Sequence, residues 1–265
     1  MPAYRDVVYI ANGSPKHTLD MYLPDQSVGQ VPLAIIIHGG AWRAGDKSEC
    51  EGFGRGLVTT ARGNLAVAAI NYELSNSGPD CIIRHPRHLN DAMRAVQFLV
   101  SDTEDYPGKS LIDRSKVYLI GHSAGAHLAM LMVLSTNSEL GCLSSIKGVL
   151  GAGGIYDIPG LLVAYPSYSE FVDMAFDPAQ HQEASPQCAA SIKQAGADHV
   201  KFLVVSSTGD TLIHSNHAAS FASQLVRANY SDVALVVRDF DTHYLMVDNE
   251  ALWKLAIDFV ETSQR

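Results

Sequence analysis

The sequence lacks any apolar run near the 18 residues that a bilayer-spanning helix needs, so no segment is expected to cross a membrane. The N-terminus, Met1-Pro-Ala-Tyr-Arg-Asp-Val-Val, has no basic-then-apolar order, and no signal peptide is expected. Basic clusters are missing too. With a net charge of −9, nucleic acid and anionic membrane are poor partners. The four cysteines, Cys50, Cys81, Cys142 and Cys188, are dispersed with no C-x-x-C, which fits a reduced, cytoplasmic chain. The eleven histidines include no H-E-x-x-H and no Cys/His cluster. His214 with His217, and His85 with His88, share i, i+3 spacing, but they read as solvated or capping residues, and no metal is expected.

What remains is ordinary for a globular enzyme: 265 residues, 47% hydrophobic and 18% charged, enough for one large domain. Val7–Ile10 and Leu19–Leu23 read as edge strands joined by the turn Asn12-Gly13-Ser14-Pro15. Continuous apolar runs follow at Leu33–Ile37, Leu65–Ile70, Val117–Ile120, Ile146–Leu150, Phe202–Val205 and Ala234–Val237, the pattern of strands buried on both faces. Helical periodicity falls between them, near Glu51–Arg62, Pro86–Val100, Ala124–Leu134, Ser215–Arg227 and Asn249–Glu261. Repeated βα units predict a single α/β domain, 1–265, with a mostly parallel sheet and helices on both faces. About fifty residues between Leu150 and Phe202 carry no core strand, which predicts a cap insertion, approximately 155–198, over the carboxyl edge where ligands bind.

The chemistry centres on Lys116–Met130, where a short apolar strand runs into Gly121-His122-Ser123-Ala124-Gly125 and then into a helical pattern. Strand, sharp turn and helix are the setting of a G-x-S-x-G nucleophile elbow, with Ser123 at its apex. Gly121 and Gly125 leave room where the backbone crowds. The alternative is a serine that only caps the helix. His38-Gly39-Gly40-Ala41-Trp42 follows the strand Leu33–Ile37, and its glycines can turn main-chain N–H groups toward a developing oxyanion. Gly39, Gly40 and Ala124 are the expected donors; an ordinary glycine turn is the alternative. In elbow hydrolases the acid and then the histidine follow the serine. Asp210, at the end of the strand Phe202–Val205, and His243, before the last helix, fill those places, with Asp239, Asp241 and Asp157 as rival acids. Gly151-Ala-Gly153-Gly154 follows a strand like a dinucleotide loop, but Tyr156 stands where the third glycine belongs, so that reading is set aside.

With H-G-G-A-W, G-H-S-A-G, Asp210 and His243 in this order, the chain resembles an α/β-hydrolase of the esterase/formamidase branch over nearly its whole length. The segment Gly154-Ile-Tyr-Asp-Ile-Pro-Gly-Leu-Leu-Val-Ala-Tyr-Pro-Ser-Tyr-Ser-Glu-Phe171, continuing to Ala175-Phe176, is similar to the cap of fungal kynurenine formamidases. The resemblance implies hydrolysis of N-formyl-L-kynurenine to L-kynurenine and formate, in tryptophan breakdown, with no cofactor. A carboxylesterase acting on small acyl esters is the second reading, and a non-hydrolytic binding or isomerising protein on the same fold the third. Tyr156, Tyr165, Tyr168 and Phe176 are candidates to stack on an anilide ring, or else they simply pack the cap. The expected partner is a small-molecule substrate, and a homodimer is the one assembly left open.

Overall fold

The computed structural model describes residues 1–27, 29–75, 83–135, 140–191 and 194–262; Cys81 lies outside them. Eight strands form one sheet: β1 (Ala3–Val8), β2 (Thr18–Tyr22), β3 (Val31–Ile37), β4 (Ala66–Ile70), β5 (Ile112–His122), β6 (Ile146–Ala152), β7 (Lys201–Ser207) and β8 (Val233–Arg238). Their spatial order is β1-β2-β4-β3-β5-β6-β7-β8, antiparallel at the β1–β2–β4 end and parallel throughout the rest. β3 and β4 are buried at every residue, which explains why their sequences run apolar without alternation.

The period-two geometry of a strand sorts the core. Leu33, Ile35 and Ile37 of β3 face a cluster with α2 (Arg87–Val100), α3 (Ala124–Leu134) and α7 (Ser215–Arg227). Ala34 and Ile36 face the opposite cluster, built with α1 (Glu51–Thr60) and α8 (Glu250–Thr262). α3 is buried at every residue and apolar at all but His127, as expected of a helix that lies between the sheet and an outer layer.

The first strand differs from its expected position. It spans Ala3–Val8, while Tyr9 and Ile10 leave the ladder for the turn, where Gly13 N–H donates to Ile10 O and Asn12 takes a left-handed φ of 57°. An edge strand is poorly marked by hydrophobicity because one side of it meets water, and none of its six residues is buried. Between β6 and β7 the chain forms α4 (Ile158–Ala164), α5 (Ser169–Ala175) and the short α6 (Pro186–Ala189), which sit at the carboxyl edge of the parallel strands. No described helix is long and apolar enough to cross a membrane.

Candidate active site

β5 delivers its last residues into the crowded turn before α3. Ser123 sits at φ 54°, ψ −118°, a strained conformation for a residue with a Cβ. The turn tolerates it because its neighbours lack side chains. A Cβ on Gly121 would strike Gly125 O and the backbone of Ala126, and one on Gly125 would strike the carbonyl of Ile37. Ser123 N–H donates to Ala152 O of β6 at 2.9 Å, and Ser123 O accepts from Ala126 and His127. Its hydroxyl makes no hydrogen bond among the described residues and opens onto a cavity that His243 also lines. The serine is therefore not the side-chain cap of α3.

His243 stands in the loop between β8 and α8. Its Nδ1 lies 2.6 Å from Asp210 Oδ2, while Asp210 Oδ1 accepts the main-chain N–H groups of Leu212 (2.8 Å) and Ile213 (2.9 Å). Burial alone would raise the Asp210 pKa. The hydrogen bonds from His243, Ile213 and Leu212 outweigh it and hold the carboxyl below its ordinary range. Charge on the carboxylate favours the tautomer with the proton on Nδ1 and leaves Nε2 as the acceptor. The rival acids lie elsewhere. Asp239 and Asp241 are exposed and cap their own loop, Asp239 Oδ1 accepting from Asp241 N. Asp157 starts α4 in the insertion.

The H-G-G-A-W turn is wound left-handed through Gly40 (φ 102°), Ala41 (52°) and Trp42 (58°). Its outer carbonyls are tied back: Gly40 O accepts from Arg43 and Ala44, and Tyr72 OH donates to His38 O at 3.1 Å. The His38 ring stacks on Tyr72 at 4.5 Å, and its Nδ1–H donates to Gly39 O at 2.7 Å. Burial lowers the His38 pKa to about 4, so the ring is a neutral prop under the turn. Trp42 is fully buried and plugs the turn into the interior, edge-on to His127 (5.0 Å) and Phe176 (4.7 Å). Gly39 and Gly40 line the cavity beside Ser123, and Ala124 N–H belongs to the first turn of α3, where no intrahelical acceptor exists.

The cavity has a volume of about 670 Å³. The insertion contributes Ile155, Tyr168 and Phe171 to the lining, Arg43 follows the H-G-G-A-W turn onto it, and Ile36, Glu49, Cys50, Phe53, Val247 and Asp248 also line it. Of the four expected cap aromatics, Tyr168 is on the wall, its OH donating to Leu212 O at 3.2 Å. Tyr165 stacks behind it at 4.9 Å. Tyr156 and Phe176 are not on the wall. Tyr156 is fully buried and stacked on Phe221 at 4.2 Å, and Phe176 is the buried centre of an aromatic group with Trp42, His85 and His127. Both sit where the insertion is fastened to the sheet domain, so their apolar surface is used in packing. Phe171 and Arg43 take the wall positions instead, the Arg43 guanidinium lying 5.3 Å over the Phe171 ring. Tyr72 and Arg43 carry no motif signal, although Arg43 directly follows Trp42; Phe171 lies within the segment similar to formamidase caps but is not one of the four aromatics singled out there.

His217, His214 and His88 serve structure. His217 Nε2 accepts the N–H groups of Tyr156 (2.7 Å) and Asp157 (3.1 Å), fastening the start of the insertion to α7. His214 caps α7, and His88 meets Ser75 Oγ at 2.9 Å. His17, Glu73 and Asp91 bring three ligand-type atoms within 4.8 Å of one another. His17 Nδ1 accepts the Ser14 N–H, and its Nε2 lies 3.2 Å from Asp91 Oδ1 and 3.8 Å from Glu73 Oε2. Among the described cysteines, Cys50, Cys142 and Cys188 are free thiols.

The site thus holds a strained serine after a central parallel strand, a histidine–carboxylate pair lining the same cavity and a left-handed glycine turn beside it. The BD-FAE family model matches residues 19–225. A kynurenine formamidase of Meyerozyma guilliermondii is 32% identical over 186 residues, covering 68% of this chain and 65% of its own. A probable isoprenylcysteine alpha-carbonyl methylesterase of Arabidopsis thaliana is 26% identical over 238 residues, 84% of this chain and 47% of its own. The matches thus span less than two thirds of the length of these two relatives. A truncated carbohydrate esterase from gut microbiota shares the fold at TM-score 0.81 and 18% identity, over 100% of this chain and 97% of that one. The chain belongs to the BD-FAE family and has the α/β-hydrolase fold, on its esterase/formamidase branch.

Proposed function

We propose that the protein hydrolyses N-formyl-L-kynurenine to L-kynurenine and formate. The observation that carries the reading is one cavity wall holding Ser123, the Asp210-bonded His243 and the aromatic pair Tyr168–Phe171 with Arg43 beside it. Ser123 Oγ attacks the formyl carbon as His243 Nε2 takes its proton, and Asp210 stabilises the imidazolium that forms. Gly39, Gly40 and Ala124 N–H groups hold the oxyanion. Collapse of the tetrahedral intermediate breaks the C–N bond, and His243 returns the proton to the departing aryl amine. Water, deprotonated by the same imidazole, then releases formate from the formyl-serine. The aryl ring lies against Tyr168 and Phe171, and Arg43 offers a counter-charge to the carboxylate of the amino-acid end. The relative named kynurenine formamidase supports this substrate class.

A second reading, a carboxylesterase acting on small acyl esters with the same residues, is favoured by the apolar side chains of Ile36, Cys50 and Phe53 on the cavity lining, which a formyl group alone does not fill. The relative named a methylesterase favours it too. Comparing kcat/KM for N-formyl-L-kynurenine with that for p-nitrophenyl acetate and butyrate decides between them. The formamidase reading expects the formamide to lead despite its poorer leaving group, because binding energy from the ring and amino-acid end is used in the transition state. An enzyme fast on the esters and inert to the formamide ends it.

A further inference from the structure

Among the described residues one hydrogen bond joins the serine turn, residues 121–125, to the loop 239–245 that carries His243. It runs from His122 Nε2 to His243 O at 2.9 Å, between residues 121 positions apart in the chain. We propose that His122 is a positioning residue: by holding the main chain of His243 it sets the distance and angle between that imidazole and Ser123. The inference rests on the roles proposed above for Ser123 and His243.

The loop needs such a brace. Asp241, Thr242, Tyr244 and Leu245 are all exposed, so packing does little to fix them. Ser207 Oγ anchors the stretch before the histidine, donating to Asp241 O and accepting from Phe240 N. Asp210 holds the ring by one nitrogen, which leaves it free to pivot about that bond. The His122 bond is the contact on the main chain of His243 itself, and it originates one residue before Ser123. Any shift of the serine turn therefore moves the histidine with it.

The direction of the bond follows from its acceptor. A carbonyl can only accept, so His122 Nε2 carries the proton and Nδ1 keeps its lone pair, on the side facing Gly39. The two imidazoles are 4.7 Å apart, inclined at 46°. A charged His122 would oppose the imidazolium that His243 becomes in each half-reaction. Burial, with the nearby His243, pushes the His122 pKa down to about 3, so the donor stays neutral and the bond persists through the cycle.

The test compares His122→Leu, which removes the donor, with His122→Gln, whose amide N–H can reach the same carbonyl. Active sites are counted with a fluorophosphonate probe, so that misfolded protein drops out of the rate. Turnover of p-nitrophenyl acetate per labelled site, and the rate of phosphonylation, should both fall about 10²-fold in His122→Leu with KM nearly unchanged. His122→Gln should recover most of that loss. Combined with Asp210→Asn, the leucine variant should cost much less than the product of the separate losses, since both groups place one ring. A leucine variant whose turnover per labelled site equals that of the wild type overturns the proposal, as does a glutamine variant no better than leucine. If His122→Leu does not fold, His122→Asn, whose donor is too short to reach, replaces it. A wild type that is not labelled, or a Ser123→Ala variant that stays active, would instead remove the serine mechanism on which the proposal rests.

Discussion

At the scale of single residues, geometry separates groups that composition leaves equal. Four aspartates compete for the imidazole by sequence, yet among the described residues only the Asp210 carboxylate meets its Nδ1, braced on its other oxygen by two main-chain N–H groups. Asp210→Asn should keep the fold but favour the wrong tautomer of His243, lowering kcat toward 10⁴-fold, on the order seen when such an acid is lost. Asp239→Asn should stay within a few-fold of the wild type, and the reverse ranking in steady-state kinetics would sink the assignment. Ser123→Ala should cost a similar factor of about 10⁴ or more, with an unchanged melting temperature or a slightly raised one, because alanine lacks the hydroxyl and the strained φ remains. Circular dichroism with a turnover assay reads both. Tyr72 and His122 are different. Each acts through a main-chain carbonyl remote in sequence, and no local pattern encodes such a bond.

Among the elements, the insertion between β6 and β7 is where expectation and structure diverge most. The stretch between β6 and β7, rich in Tyr, Pro, Ala and Gln, is expected to form a cap, and it carries the helices α4, α5 and α6. Which rings face the cavity could not be read from it, because a ring that fastens the cap and a ring that lines it look alike in sequence. Tyr168→Ala and Phe171→Ala should therefore lower kcat/KM for a formyl anilide much more than for p-nitrophenyl acetate, while barely shifting thermal stability. Phe176→Ala should do the opposite. Removing a fully buried ring beside Trp42 and His127 should cost about 3–5 kcal/mol of stability, seen as a lower urea midpoint. Equal substrate discrimination by Phe176→Ala and Tyr168→Ala, with no loss of stability, would contradict this division.

For the whole molecule, buried neutral histidines couple stability to pH. Burial pushes His38, His85 and His217 down to about 4, and His88, His122 and His127 down to about 3. Released from the fold, each would titrate near ~6.5. Above that value neither state binds the protons, and these groups leave stability unaffected. As pH falls below it, the unfolded chain takes up protons that the folded chain refuses, and stability declines by up to about 1.4 kcal/mol per pH unit for each histidine. With a typical net stability of about 5–15 kcal/mol, cooperative acid unfolding should begin before the folded-state values are reached. The melting temperature should be flat from pH 8 to 7 and fall steeply between 6 and 4.5, with net proton uptake on unfolding. A melting temperature unchanged between pH 7 and 5 would show that these rings are not neutral and buried together.

Sequence alone determined what short-range sterics and periodicity can encode. Apolar runs without alternation declare buried parallel strands, and glycines at fixed offsets around Ser123 and after His38 mark turns no larger residue can make. Motif order then brought Asp210 and His243 forward as candidates. Tertiary structure decided everything that depends on elements distant in the chain. It placed the β1 edge, where one face meets water and hydrophobicity carries little signal. It sent Tyr156 and Phe176 inward and put Phe171 and Arg43 on the wall. It set His122 against the carbonyl of His243, because that contact exists only where β5 and the loop after β8 end at the same edge of the sheet.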